Sequence, residues 1–131
     1  MKKRIYYHDT DHSGAVYHAN YLKFLEEARS QYLEERGYSV KTLMDRGIFF
    51  AVRHQEMEYK HPAFYDDVLE ITTSVTECTN VRVKFVYEIQ NQSGRLIGRA
   101  STDLVSVGRD LKLAELPEDV RKACAVSKAG S

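Results

Sequence analysis

The sequence is poor in residues that interrupt or cross-link a chain. It holds two prolines and two cysteines among 131 residues, and no stretch of it is of low complexity. Hydrophobic residues make up 43% and charged residues 29%, a balance that indicates a compact soluble fold rather than disorder. A chain of this length fits one domain, so we expect residues 1–131 to form a single folded unit.

The sequence also lacks an excess of either charge and any long apolar run. Lys plus Arg equals Asp plus Glu at 19 each, so no global field attracts nucleic acid or an anionic lipid surface. The longest apolar runs span a few residues, which predicts no membrane span and no signal peptide. Cys78 and Cys124 stand alone without a CxxC motif, which favours a reducing cytoplasm and argues against structural zinc.

Strand and helix patterns follow one another in the first third of the chain. Residues 2–8 favour a short strand, because Ile5 and two tyrosines suit a pleated surface. From 18 to 36 the apolar residues recur at helical spacing, and charged residues lie mostly on the other side. Gly37 then predicts the end of this helix. The predicted apolar face consists of Tyr21, Phe24, Leu25, Ala28, Tyr32 and Leu33.

The remaining sequence predicts a short helix, four long strands and a helical tail. Residues 39–47 suit a helix with Ser39 as its cap and Gly47 after its end. Alternation of apolar and polar residues then predicts sheet to about residue 107, and residues 117–125 suit a helix. One long helix buries about five strands only if the sheet curls around it, so we predict an α+β fold with a curved antiparallel sheet around a central helix. Tyr and Val on both faces of the later strands predict a homo-oligomer.

The segment YYHDTDHSGAVYHANY, residues 6–21, concentrates carboxylates and imidazoles, and three interpretations compete. The run from Asp9 to Gly14 matches the first half of a calcium-binding EF-hand loop, but the twelfth position requires Glu and is Asn20 here. Zinc ligands are present as residue types, but their spacing fits no standard pattern. Composition alone favours a polar turn between a strand and a helix.

A longer pattern outweighs the interpretation as a plain turn. Residues 4–29, RIYYHDTDHSGAVYHANYLKFLEEAR, resemble the signature of the 4-hydroxybenzoyl-CoA thioesterase family, and within it the YbgC-like, Tol-Pal-associated acyl-CoA thioesterases. Weaker similarity continues through HPAFYDDVLEI. The resemblance implies the hotdog fold in dimers and often tetramers, and thioester hydrolysis without a cofactor or metal. The matching residues are Arg4, Ile5, Thr10, Asp11, Gly14, Val16, Asn20, Tyr21 and Phe24.

The resemblance assigns catalysis to this segment. It implies that Asp11 is the catalytic carboxylate, acting as a base on water or as a nucleophile. We expect backbone N–H groups near Tyr17 and His18 to polarise the thioester carbonyl, with the helix dipole behind them. The His18 ring either adds a donor or proton carrier or is simply exposed at the helix start. Tyr7 is either a pocket wall or hydrogen-bond donor, or a packing residue of the strand.

Other residues of the segment have lesser predicted roles. Asn20 is a candidate substrate-binding residue that either orients a loop group or caps the helix. Asp9 is expected to hold the turn by accepting bonds from backbone N–H groups. We assign no role to His8 and His12.

The phosphates of CoA require Lys or Arg beside a surface groove. The candidates are Lys60, Arg82, Lys84, Arg95 and Arg99, each of which is equally typical of the solvated side of a strand. The resemblance implies that Gly47 and the IFFAV that follows it help to line the acyl pocket across the dimer; the alternative is that they only pack as an ordinary strand. The alternative function is a non-catalytic protein that binds acyl-CoA or an acyl carrier protein on the same fold.

Overall fold

The computed structural model describes residues 1–125. The strands are β1 (Lys2–Arg4), β2 (Phe49–Tyr59), β3 (Val68–Cys78), β4 (Arg82–Gln90) and β5 (Leu96–Val107), and the helices are α1 (Asn20–Glu35), α2 (Val40–Asp45) and α3 (Glu118–Ala123). The strands form one antiparallel sheet in the order β1-β3-β4-β5-β2. The predicted order of a strand, a long helix, a short helix, four long strands and a helical tail is confirmed.

Helix α1 matches the predicted long helix. It lies inside the predicted range of 18–36, and Gly37 follows it with a φ of +91°, a conformation that glycine adopts at little cost. All six residues of the predicted apolar face are buried, with exposures of 5% or less. Tyr32 packs edge-on against Phe85 of β4, with 5.6 Å between the ring centroids. Burial of this apolar face holds α1 against the sheet.

Strand β4 separates the two faces of the sheet. Its side chains alternate as predicted, because successive residues of a strand point to opposite faces. The residues between the buried ones, from Arg82 to Glu88, are partly exposed and lie on the face away from α1, which we call the outer face. The buried set consists of Val83, Phe85, Tyr87 and Ile89, each 3% exposed or less.

The first strand is shorter than predicted. β1 ends at Arg4, and Tyr7–Asp9 form a turn of 3-10 helix. The Asp9 carboxylate accepts a bond from the Tyr6 N–H at 2.9 Å, and the Asp9 N–H donates to the Tyr6 carbonyl at 3.0 Å. These local bonds close a turn that the β propensity of the tyrosines does not outweigh. The strand prediction for residues 5–8 is therefore wrong.

Strand β2 forms one edge of the sheet and pairs with β5. Its other side meets no strand within the described chain. A bulge between Val52 and His54 inserts Arg53, which bends the strand locally. Tyr59 is the last residue of β2 and carries an exposed ring at the sheet edge.

Two short helices complete the fold where they were predicted. Ser39 caps α2, since its Oγ accepts a bond from the Thr42 N–H at 3.1 Å. An ion pair of 2.8 Å between Arg46 and Asp119 joins the end of α2 to α3. Across residues 1–125, no helix has both the length and the apolar character needed to cross a membrane.

Candidate active site

The opening loop, residues 6–19, closes on itself beside a second segment of the chain. Thr10 pairs with Val16 in an isolated antiparallel bridge, so the loop returns next to the point where it left. The Val16 N–H donates to the Ala63 carbonyl at 2.8 Å. Residues 61–67, which precede β3, therefore support the loop from one side.

Asp9 connects the opening loop to the start of α1. It is 6% exposed, and its carboxylate is bonded to the Tyr6 N–H. Its main-chain carbonyl accepts two bonds, from the Tyr17 N–H at 3.0 Å and from Asn20 Nδ2 at 2.8 Å. The prediction that Asp9 holds the turn through backbone N–H groups is confirmed.

Asp11 places a carboxylate at the surface two residues beyond Asp9. Its Oδ1 accepts bonds from the Ser13 hydroxyl at 2.5 Å and from the Ser13 N–H at 2.8 Å. These bonds, the hydroxyl first, favour the charged form and hold the pKa of Asp11 below its usual value of 3.8. In the part of the chain that the structure describes, Oδ2 has no hydrogen-bond partner. The loop thus presents an ionised, oriented carboxylate with one free oxygen.

The start of α1 presents two free amide donors. The N–H groups of His18 and Ala19 meet no acceptor within residues 1–125, as is usual for the first turn of a helix. The Tyr17 N–H, in contrast, donates to the Asp9 carbonyl. The prediction of a free donor at Tyr17 is therefore wrong, and the pair of free donors lies one residue further along the chain.

The carboxylate and the free donors lie at the same end of the molecule. The Asp9 carbonyl is bonded directly to the Tyr17 N–H, which adjoins His18 in the chain. Two residues of chain span at most about 7 Å, so Asp11 stays close to this bond. Asp11 therefore lies near the positive end of the α1 dipole.

The side chains of two predicted site residues are accessible. The His18 ring is exposed and lies 4.5 Å from the Tyr17 ring, measured between centroids. Tyr7 is 76% exposed and lies edge-on to Tyr65 at 6.1 Å. Because Tyr7 belongs to the 3-10 turn, the alternative that it packs within a strand is wrong.

Asn20 holds the loop instead of capping the helix. Its side-chain amide donates to the Asp9 carbonyl, and the N-cap position is occupied by Ala19. Of the two predicted roles, orienting a loop group or capping the helix, the structure therefore shows the first. The side-chain amide of Asn20, which was predicted to bind substrate, thus donates a hydrogen bond within the protein.

Two of the predicted CoA-binding cations are remote from this end of α1. Arg82 and Lys84 lie on the outer face of the sheet, with the sheet between them and α1. Arg82 also forms an ion pair with Asp103 at 3.5 Å. The structure therefore does not bring these two cations together with Asp11.

The other predicted cations also have neighbours. Lys60, the residue after the end of β2, forms an ion pair with Glu58. Arg95 lies 3.0 Å from Nδ1 of His61, and Arg99 lies 3.7 Å from a carboxylate of β4. Lys60 directly follows the last residue of β2, and Arg99 lies opposite Glu58 in the pairing of β2 with β5.

A largely apolar cavity of about 200 Å³ lies between α1, α2 and the first half of β2. Its wall includes residues predicted to line an acyl pocket, and Gly47 precedes them with a φ of +77° at the end of α2. The members of that predicted set are Ile48, Phe49, Phe50 and Val52. Glu26 and Arg29 of α1 add charge to the same wall.

The described residues contain no group of three or more His, Cys, Asp or Glu side chains arranged to hold a metal ion.

Comparison with known proteins identifies the family. Residues 6–124 match the family model described as the thioesterase-like superfamily. The chain belongs to this superfamily. Acyl-CoA thioester hydrolase YbgC of Escherichia coli is 37% identical over 118 residues, covering 89% of this chain and 88% of the relative.

Solved structures agree with this membership. A hypothetical protein from Aquifex aeolicus superposes with a TM-score of 0.91 at 28% identity, covering 95% of this chain and 98% of the other. A variant of 4-hydroxybenzoyl-CoA thioesterase in complex with 4-hydroxybenzoyl-CoA gives a TM-score of 0.85 at 27% identity, covering 95% and 96%. The predicted resemblance and the predicted hotdog fold are both confirmed.

Three contributors to the site of this thioesterase-like protein were not predicted from the sequence. Ser13 anchors Asp11, Ala19 offers a free N–H, and the Tyr59 hydroxyl donates to the His18 carbonyl at 3.1 Å. A serine two residues after an aspartate is a common turn pattern, and it would have indicated Ser13. No local pattern indicates Tyr59, since 41 residues separate it from His18.

Proposed function

We propose that this protein is an acyl-CoA thioesterase that hydrolyses the thioester of an acyl-CoA to a free acid and CoA. The observation that carries the proposal is the free Asp11 oxygen at the same end of the molecule as the free N–H groups of His18 and Ala19. A carboxylate and an oxyanion site are the two elements that metal-free thioester hydrolysis requires. Membership of the thioesterase-like superfamily and the name of the Escherichia coli relative support the same reaction.

In the proposed reaction, Asp11 Oδ2 either removes a proton from a water that adds to the carbonyl carbon or adds to that carbon itself. The N–H groups of His18 and Ala19 donate to the carbonyl oxygen as it becomes negative. The carbon–sulfur bond then breaks, and the CoA thiolate leaves and takes up a proton. The exposed His18 ring supplies this proton, and Tyr7 borders the entrance for the acyl group. Where Asp11 itself has added to the carbon, a water then hydrolyses the acyl–Asp11 anhydride, which releases the free acid and restores the carboxylate.

The test is release of free thiol from a panel of acyl-CoA esters by the wild type and by Asp11→Asn. We expect turnover to fall by at least about a hundredfold in Asp11→Asn, the usual loss when a base or nucleophile is removed. Asp110→Asn is the matched control, because Asp110 Oδ1 also accepts a bond from a backbone N–H two residues on, that of Lys112 at 3.1 Å. Equal rates for wild type and Asp11→Asn would refute the assignment. Binding without thiol release in the wild type would favour the non-catalytic alternative.

We propose that two copies pair through the free edge of β2. A two-fold pairing centred on His54 places Phe49 of one copy opposite Tyr59 of the other. Within one chain these residues lie about 33 Å apart along the strand, since each residue of a strand advances about 3.3 Å. Pairing would therefore bring the apolar cavity at the Phe49 end of one copy to the His18 end of the other.

This pairing makes the apolar cavity of one copy the acyl pocket for Asp11 of the other. We further propose that two such dimers form a homotetramer through the outer faces of the sheets, where a groove carries both Glu88 and Arg99. Light scattering at micromolar concentration tests the assembly. A monomer with full thioesterase activity would refute the shared pocket.

We propose a cytoplasmic location and a second carrier for the acyl group. Cys78 and Cys124 are free thiols, which suits a reducing compartment. An acyl carrier protein presents the same thioester as CoA, so it is the other proposed source of substrate. We also propose that residues 1–131 form one thioesterase-like domain.

A further inference from the structure

The end of β2 is fastened to the start of α1 by one side chain. The Tyr59 hydroxyl donates to the His18 carbonyl at 3.1 Å. The Tyr59 ring also packs edge-on against Tyr21, with 5.5 Å between centroids, and Tyr21 is 3% exposed. The buried Tyr21 ring therefore fixes the position from which the Tyr59 hydroxyl donates.

The bond from Tyr59 determines the orientation of one peptide group. Peptide bonds among residues 1–125 are trans, so the carbonyl and the N–H of a peptide unit point in opposite directions. The peptide that carries the His18 carbonyl also carries the Ala19 N–H. Because Tyr59 holds the carbonyl on one side, the Ala19 N–H is directed to the opposite side, where no residue of the described chain accepts it.

The helix alone holds this peptide weakly. Among residues 1–125, the His18 carbonyl accepts one other bond, from the Tyr21 N–H at 3.4 Å, which is longer than the 3.1 Å bond from Tyr59. A donor at the carbonyl also polarises the peptide and strengthens its N–H as a donor. Burial raises the pKa of the Tyr59 hydroxyl, so the group remains protonated and donates at neutral and mildly alkaline pH.

We propose that Tyr59 is a positioning residue for thioester hydrolysis, whose hydroxyl fixes the His18–Ala19 peptide so that the Ala19 N–H faces the thioester oxygen. This inference rests on the proposed function. It makes the last residue of an edge strand part of the oxyanion site, although its side chain does not touch the substrate.

Tyr59→Phe tests the inference, because it keeps the ring against Tyr21 and removes only the donor. We expect kcat to fall about three- to tenfold, the equivalent of one lost hydrogen bond, with KM unchanged. Affinity for a CoA thioether, which lacks the carbonyl, should also be unchanged. Tyr38→Phe is the matched control, since the Tyr38 hydroxyl donates one bond of 3.0 Å to Asp119 away from the site.

A spectroscopic measurement separates positioning from a general structural effect. The infrared band of a ¹³C-labelled thioester carbonyl is recorded when the substrate is bound to Asp11→Asn, with and without Tyr59→Phe. We expect Tyr59→Phe to move the band toward its position in free solution, and Tyr38→Phe to leave it in place. An unmoved band, or a fall in kcat no larger than that of Tyr38→Phe, would overturn the inference.

The outcomes distinguish this inference from the proposed function. If the wild type is active, Asp11→Asn is inactive and Tyr59→Phe matches the wild type, the inference fails and the function stands. If the wild type releases no thiol from any ester of the panel, both fail. If Tyr59→Phe lowered kcat, raised KM and lowered thermal stability together, the role of Tyr59 would be structural, and the inference would also be overturned.

Discussion

Replacing Asn20 with Ala tests whether the bond between the opening loop and α1 sets the geometry of the site. Asn20 Nδ2 donates to the Asp9 carbonyl at 2.8 Å, and the Tyr17 N–H still serves that carbonyl in the variant. Loss of one such bond lowers the free energy of unfolding by about 1 kcal/mol. Ala is favourable within a helix, so α1 itself is not weakened. For a chain of this size, we expect Tm to fall by roughly 3–5 °C.

The effect of Asn20→Ala on catalysis should exceed its effect on stability. Asp11 follows Asp9 by two residues, so a looser Asp9 displaces the carboxylate relative to the donors of His18 and Ala19. A displacement of about 1 Å costs up to about a hundredfold in rate. We therefore expect kcat to fall at least about tenfold, measured by thiol release and compared with thermal unfolding of the same sample.

Asn80→Ala is the control for Asn20→Ala. Asn80 lies in the connection between β3 and β4, and its Oδ1 accepts a bond of 2.5 Å from Arg121 of α3. The variant therefore also loses one side-chain bond. Asn80→Ala should lose a similar amount of stability and keep full turnover. If Asn20→Ala also kept full turnover while its Tm fell, the bond to Asp9 would be structural and the reasoning about the site would be refuted.

Two further variants test Asp11 and the packing of β2. Ser13→Ala removes the main cause of the low Asp11 pKa, so the acid limb of the pH profile of kcat/KM should move up toward pH 3.8. An unmoved limb would show that this limb does not report the protonation of Asp11. Gly98→Ala should lower the unfolding free energy, measured in urea, by about 1–3 kcal/mol, because its Cβ would lie 2.5 Å from the Glu58 carbonyl oxygen. Gly108→Ala, where the nearest atom is a side-chain oxygen of Asp110, should cost less, and equal losses would contradict the steric cause.

The parts of the fold that were predicted correctly are those that a local repeat encodes. The buried face of α1 follows from apolar residues at helical spacing, and the two faces of β4 follow from strict alternation. Both patterns arise because each element has one side against the core. Residues 6–8 are exposed and have no side against the core, and the local bonds between Tyr6 and Asp9 decide their conformation instead.

The parts of the site that could not be predicted depend on contacts between distant residues. The Tyr17 N–H was expected to be free because it precedes a helix, and its acceptor is the Asp9 carbonyl of the folded loop. Tyr59 lies 41 residues from His18 and meets it only because β2 runs along the sheet edge to the start of α1. The family resemblance therefore indicated Asp11 as the candidate carboxylate, and tertiary structure determines which amide groups near it remain free.

The two carboxylates of the opening loop have different environments, and this difference explains why only Asp11 is suited to chemistry. Two negative charges directed into one site would raise the pKa of one of them. The pKa of Asp11 is lowered instead, by its bonds to Ser13, and Asp9 is turned inward at 6% exposure. The Asp9 carboxylate accepts a bond from the Tyr6 N–H, and its carbonyl accepts bonds from the Tyr17 N–H and from Asn20 Nδ2. Asp9 thus fixes the distance between loop and helix, and Asp11 keeps one oxygen available there for a reaction.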